Sequence, residues 1–230
     1  MNSIFSVIVE CILEEVIRSS PAAQSYMLSL FEKHAAPSKA LTVYQSVPLM
    51  PIAYDAEDSP AKLYFDGGHK LDLCLLIEKQ TVIPLEVKVG NEIPQIKECG
   101  ISHKGTRLSG NILGILDQRV DASHSDTLVT LFGNKEEIFK RIHVNLDGEI
   151  YPLGAKWGLI APGNLIEKWA QNNSFHTGPV MIDIQKLLQT TASDTEDGAQ
   201  LFNRLVANHL HSEDYFKDWI LNGQDLSVEE

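Results

Sequence analysis

Positive charge is scarce in this chain: 19 lysines and arginines face 31 aspartates and glutamates, a formal net charge of −12 over 230 residues. A protein that coats nucleic acid regardless of sequence draws its affinity from neutralising phosphates, so that class is excluded as a general reading. Cysteine is also sparse. Cys11, Cys74 and Cys99 are odd in number and lack metal-site spacing, which points to free thiols in a reducing compartment. No apolar run approaches the roughly 20 residues that a membrane helix needs. The first twenty residues lack a basic start, and Glu10, Glu14 and Glu15 interrupt their apolar pattern, so no signal peptide is expected and the reading is cytoplasmic. Neither a phosphate-binding G-x-x-x-x-G-K-[ST] loop nor a G-x-S-x-G nucleophile elbow is present.

What is present is a globular composition, 43% hydrophobic and 22% charged, in a length that suits one domain. Ile4, Val7, Ile8, Cys11, Ile12 and Val16 recur at helical spacing, predicting a helix over Ser3–Ser20 that ends before Pro21. A second helix is expected over Ala22–His34, and strands over Leu41–Val47 and Lys62–Phe65. Two apolar runs, Leu71–Ile77 and Val82–Val89, flank Glu78-Lys79-Gln80-Thr81 and predict a hairpin. Helical or mixed structure is expected over Ile93–Arg119. Strands are expected at Thr127–Phe132, Trp157–Ala161 and Val180–Ile184, and helices at Asn134–Arg141 and Leu165–Gln171. The acidic tail, with ten acids and three bases from Asp183 onward, predicts a helix near Thr195–His211 and a short one near Tyr215–Leu221. Strands flanked by helices at both ends of the chain indicate a single α/β domain with a central mixed sheet, the acidic segment from about 195 to 230 packed on it or appended to it.

The hairpin holds charges where a strand should be apolar. Leu71, Leu73, Leu75 and Ile77 share one face, with Asp72 on the other beside Cys74 and Leu76; Glu86 and Lys88 point away from Leu85, Val87 and Val89. Pairing with residue numbers that sum to 158 sets Asp72 opposite Glu86, and a sum of 160 sets it opposite Lys88. Either register gathers the three, while an odd sum separates them. Two carboxylates on adjacent strands suit a hard cation such as Mg²⁺, with Mn²⁺ as a substitute, and the carbonyl of Val87 lies between them as a further oxygen. Lys88, unable to ligate while protonated, can orient a water or stabilise charge on a phosphate. The plain alternative is an Asp72–Lys88 cross-strand ion pair with Glu86 solvated.

Asp72 followed by Glu86-Val87-Lys88 resembles the motif of the PD-(D/E)XK, or restriction-endonuclease-like, nuclease superfamily. That resemblance implies a mixed sheet flanked by helices and Mg²⁺-dependent cleavage of DNA or, less often, RNA. It makes Asp72 and Glu86 metal ligands and Lys88 the catalytic lysine. Leu71 stands where many members have proline. Many members also aim a glutamate from an N-terminal helix into the site. Glu10 and Glu14 share one helix face, Glu14 is carried as the candidate catalytic residue, and its competing role is a pair with Arg18.

Lys104 and Arg107, in an acid-free stretch from Ile101 to Leu116, are candidate nucleic-acid contacts, as are the nearby Gln95, Lys97 and His103. An ordinary solvated loop is the equal alternative. His209 and His211 diverge by about 200° on a helix and make a poor shared metal site. Trp157, Trp169 and Trp219 are expected in the core. The size suits a homodimer or a subunit with a protein partner. The competing readings are a catalytically silent scaffold of the same fold and, last, a DNA-mimicking inhibitor.

Overall fold

The computed structural model describes residues 4–32, 40–56, 58–89, 95–102, 105–172 and 175–191. The expected tail helices, with Trp219, His209 and His211, lie outside the described residues, as do His103 and Lys104. No helix among the described residues is long and apolar enough to cross a membrane.

The chain opens with α1 (Ile4–Ser19), whose buried Val9, Ile12, Leu13, Val16 and Ile17 form one apolar stripe. Ser20 caps α2 (Pro21–Phe31), accepting the Ala23 N–H at 3.0 Å, with Pro21 opening the helix. Five strands follow: β1 (Leu41–Pro48), β2 (Ile52–Ala56), β3 (Ser59–Phe65), β4 (Lys70–Ile77) and β5 (Thr81–Val87). The stretch expected to be helical or mixed holds two short strands, β6 (Gly100–Ile101) and β7 (Arg107–Ser109), and a one-turn helix, α3 (Ile112–Leu116).

The expected strand at Thr127–Phe132 is instead a helix, α4 (Ser125–Phe132). Its β-branched residues favour a strand, but burial decides: Leu128 and Phe132, four apart, are inside, while Val129 is exposed. After α5 (Glu136–Lys140), β8 (His143–Leu146) and β9 (Glu149–Pro152) form a hairpin. Asp147 and Gly148 supply the two positive φ angles of its turn, 54° and 89°. The chain then runs through β10 (Gly158–Ala161), α6 (Gly163–Asn172), β11 (Val180–Asp183) and α7 (Ile184–Thr190).

The central sheet has the order β1-β4-β5-β10-β11 and is mixed: β1, β4 and β5 run antiparallel, whereas β5, β10 and β11 are parallel. Helices α1, α2 and α7 cover one face, burying Leu73, Leu75, Ile77 and Leu85. The opposite face carries Cys74, Leu76, Val82 and Leu159 and packs against β2, β3, α4 and the β8–β9 hairpin. Trp157 and Trp169 lie in this second core, 2% and 1% exposed. Cys74 and Cys99 are buried free thiols, and burial pushes both up to about 12; Cys11 is half-buried.

One expected alternation fails. Leu71 packs in the second core with its partner Val47, not with Leu73 and Leu75. Ser46, across from Asp72 in the β1–β4 register, has a φ of 54°, and its left-handed backbone changes the faces of the strands at that point. Asp72 therefore sits where one core gives way to the other, within the β1–β4 ladder and just past the last β4–β5 pair, Leu73 with Leu85.

Candidate active site

The β4–β5 hairpin pairs Leu73 with Leu85, Cys74 with Pro84 and Leu75 with Ile83, all summing to 158. Continued by one residue, that register places Asp72 opposite Glu86. The turn that sets it, Ile77 to Gln80, closes through a 3.0 Å bond from the Gln80 N–H to the Ile77 carbonyl, with Glu78 and Lys79 both at positive φ. Asp72 Oδ2 accepts the Val87 N–H at 2.8 Å, which ties the first carboxylate to the backbone between Glu86 and Lys88. Lys88 is fixed in turn by its own N–H, bonded to the Ile160 carbonyl of β10 at 2.9 Å.

The Lys88 ammonium donates to Glu86 Oε1 and lies 4.0 Å from Asp72 Oδ2. The ion pair that competed with the catalytic reading is thus present, but Glu86 is not solvated. It is 2% exposed, and its Oε2 has no hydrogen-bond partner among the described residues. An orphaned buried carboxylate oxygen is costly.

A fourth charge arrives from α1. Glu10 is 5% exposed and senses the charges of both Asp72 and Lys88. Glu14, one turn further on, pairs with Arg18 on the surface side. The helix glutamate that reaches the carboxylate cluster is therefore Glu10, and Glu14 takes the Arg18 partner that was its alternative. Gln45, which sequence reasoning passed over, bonds Glu10 and exchanges contacts of 3.4 and 3.5 Å with Cys11 Sγ. Its only signal was a polar residue between Val43 and Val47 in an inward-facing series.

The electrostatics follow from crowding. Burial pushes Glu86 up to about 8, with the charge of Asp72 adding to it and Lys88 opposing it. Burial and then Asp72 push Glu10 up to about 7, against the Gln45 bond and Lys88. Asp72 is raised by burial despite Lys88, the Val87 N–H and a proton shared with the Glu86 carboxyl, which occupies the otherwise unpartnered oxygen only when Glu86 is protonated. Burial works against the Lys88 ammonium, but Glu86 and then Asp72 outweigh it, and its pKa is raised. Three carboxylates against one ammonium leave two negative charges when all are ionised. A dry site holds such an excess by binding protons or by taking a divalent cation.

That donor set fits Mg²⁺ or Mn²⁺: carboxylate oxygens, one of them unpartnered, and a local excess of two charges. Among the described residues no group of three or more His, Cys, Asp and Glu side chains is placed to hold a metal ion; the ammonium of Lys88 lies beside both Glu86 and Asp72. Of the expected nucleic-acid contacts, Arg107 is exposed at the start of β7 with Nη1 3.6 Å from Asp66 Oδ1, a pair that solvent screens. Comparison with known proteins finds no family model, no curated protein and no solved structure that matches this chain.

Proposed function

We propose that this chain is a metal-dependent phosphodiesterase, a nuclease of the restriction-endonuclease-like type acting most naturally on DNA. The observation that carries the reading is the convergence of Asp72, Glu86, Lys88 and Glu10, from two strands and a helix, where the β4–β5 ladder stops in a mixed sheet. Asp72 and Glu86 would hold Mg²⁺ (or Mn²⁺), with the Val87 carbonyl as the third protein oxygen. Bound there, the ion supplies Lewis-acid polarisation of a phosphate and a lower pKa for its water.

The chain's own groups do the rest. Lys88, raised in pKa and fixed at its backbone, keeps a positive charge at pH 7 beside the place where a phosphate oxygen gains negative charge. Asp72 is held in one orientation by the Val87 N–H, so its second oxygen has a fixed direction. Glu10, pushed up to about 7, sits near neutrality and is suited to exchange a proton with a water at the cluster. Arg107, with Lys104 in the same acid-free stretch, would meet the phosphate backbone. A homodimer in the cytoplasm, cutting both strands, suits the size.

A second reading draws on the bond from Lys88 to Glu86 Oε1: a silent scaffold in which the ammonium stands in permanently for a cation. The deciding experiment is cleavage of plasmid, linear duplex, single-stranded DNA and RNA with Mg²⁺ or Mn²⁺, comparing the parent with Lys88→Ala. Cleavage that is lost on chelation and falls about 10²–10³-fold in the variant supports the nuclease. Cleavage at the parental rate by Lys88→Ala would remove the role assigned to that residue. No cleavage, together with no Mn²⁺ binding that depends on Asp72, would favour the scaffold.

A further inference from the structure

A hollow among the described residues is lined apart from Asp72, Glu86 and Lys88. It measures about 910 Å³ and opens between α5, the chain just after α3, and the loop that leads into β11. Its floor reaches Pro84 on β5, two residues before Glu86. Volumes of roughly 300–1,000 Å³ are those of small-ligand sites.

One wall is built around a buried acid. Asp117 is fully buried, and its carboxylate accepts the His176 N–H at 2.9 Å, the Thr177 N–H at 2.9 Å, the Thr177 hydroxyl at 3.1 Å and Arg119 Nε at 2.6 Å. Four donors offset the cost of burying that charge, and together they lock the loop and set the plane of the Arg119 guanidinium. Phe175, on the same loop, meets Trp157 edge-on and Trp169 at a tilt, with ring centroids 5.8 and 4.9 Å away. The opposite wall is α5 and its approach, which present Lys135, Phe139 and Lys140.

This lining combines three cations, Lys135, Arg119 paired with Asp117 and Lys140 paired with Glu137 at 2.7 Å, with half-buried aromatic rings, and adds the carboxylates of Glu98 and Glu136. Cations suit a phosphate, ring faces suit a heterocyclic base, and carboxylates suit the hydroxyls of a ribose. An acidic peptide would leave the aromatic floor unused, and a lipid tail would strand the charges. The geometry points to a binding site for a nucleoside 5′-phosphate in this hollow, separate from the carboxylate cluster and independent of the nuclease reading. The base lies against Phe139 and Phe175, and the phosphate meets Arg119, Lys135 and Lys140. The same chemistry is offered by a free mononucleotide and by the phosphorylated end of a strand.

The test is calorimetric titration of the full chain in EDTA, so that no metal bridges a nucleotide to the carboxylate cluster. The probes are AMP, adenosine and inorganic phosphate. AMP is expected to bind saturably, at least about tenfold tighter than either fragment, because base and phosphate contacts combine. The exposed double variant Lys135→Gln/Lys140→Gln should weaken AMP at least about tenfold and, since it removes only the surface Lys140–Glu137 pair, lower the melting temperature by no more than about 4 °C. Asp72→Ala should leave AMP binding unchanged. A 5′-phosphorylated oligonucleotide that displaces AMP assigns the site to a strand end, and one that does not assigns it to the free nucleotide. No saturable AMP binding at millimolar concentration, binding indifferent to the double variant, or binding lost with Asp72→Ala would each overturn the proposal.

Discussion

Glu86 gives the cluster a thermodynamic signature that can be read without any substrate. Its carboxyl is raised from 4.5 to about 8 by burial. The folded chain therefore keeps a proton that the unfolded chain releases above pH 4.5. Stability from this group is greatest at or below pH 4.5 and is lost as pH rises toward 8, the reverse of an ordinary salt-bridged glutamate. With about 1.4 kcal/mol per pKa unit, the loss between pH 5 and pH 8 comes to about 3 kcal/mol. For a chain of this size that is a fall in melting temperature of about 6–12 °C. Glu10, raised to about 7, adds in the same direction. His69, lowered by burial, works oppositely below pH 6.5 but cancels when variants are compared. The assay is urea unfolding at pH 5 and pH 8 for the parent and Glu86→Gln, in EDTA. The parent should lose stability across the interval, and the variant should lose about 3 kcal/mol less. A variant whose loss between pH 5 and pH 8 equals the parent's would refute the account of a buried and undercompensated carboxylate.

The other expectations concern the same residues. Mn²⁺ at pH 8 should restore about 2.7 kcal/mol when present at a hundred times its dissociation constant, and Asp72→Ala should abolish that gain in a melting experiment. Glu10→Gln should shift the pH–rate profile of metal-dependent cleavage, whereas Glu14→Gln, which removes only a surface pair, should leave it in place and change stability by less than about 1 kcal/mol. Leu73→Ala, at a fully buried position of β4, should cost about 2–5 kcal/mol in urea unfolding without changing which metal supports activity.

The hairpin was the most legible part of the chain because its signal is local. Alternation and a short turn restrict the register, and an even sum brings Asp72 and Glu86 together whichever of the two values applies. The helix residue was harder to choose. Helical spacing puts Glu10 and Glu14 on one face, but how far α1 slides along the sheet decides which of them reaches Asp72, and that depends on how Val9, Ile12 and Val16 seat over Leu73 and Leu75. Leu71 illustrates the same limit: a single left-handed residue, Ser46, on the neighbouring strand redirects it, and serine gives no warning of a positive φ. At Thr127–Phe132 the composition favoured a strand, while the four-residue spacing of Leu128 and Phe132 carried the helix. The Asp147-Gly148 dipeptide favours a tight hairpin, yet no hairpin was expected over residues 143–152, where the structure has one.

The change of face at Ser46 and Asp72 also explains how a helix on one side of the sheet can contribute to a cluster on the other. A strand with unbroken alternation would aim Asp72 into the second core, beside Cys74 and Leu76, and leave Glu10 behind the sheet. With the left-handed Ser46 opposite it, Asp72 leaves that pattern, the Val87 N–H fixes it, and Glu10 of α1 senses its charge. Gln45, the residue before Ser46, faces α1 and bonds Glu10, so the same local backbone holds both acids. The strained residue and the crowded carboxylates are thus two parts of one arrangement. Each carries a cost, and a divalent cation held as proposed would offset that of the carboxylates.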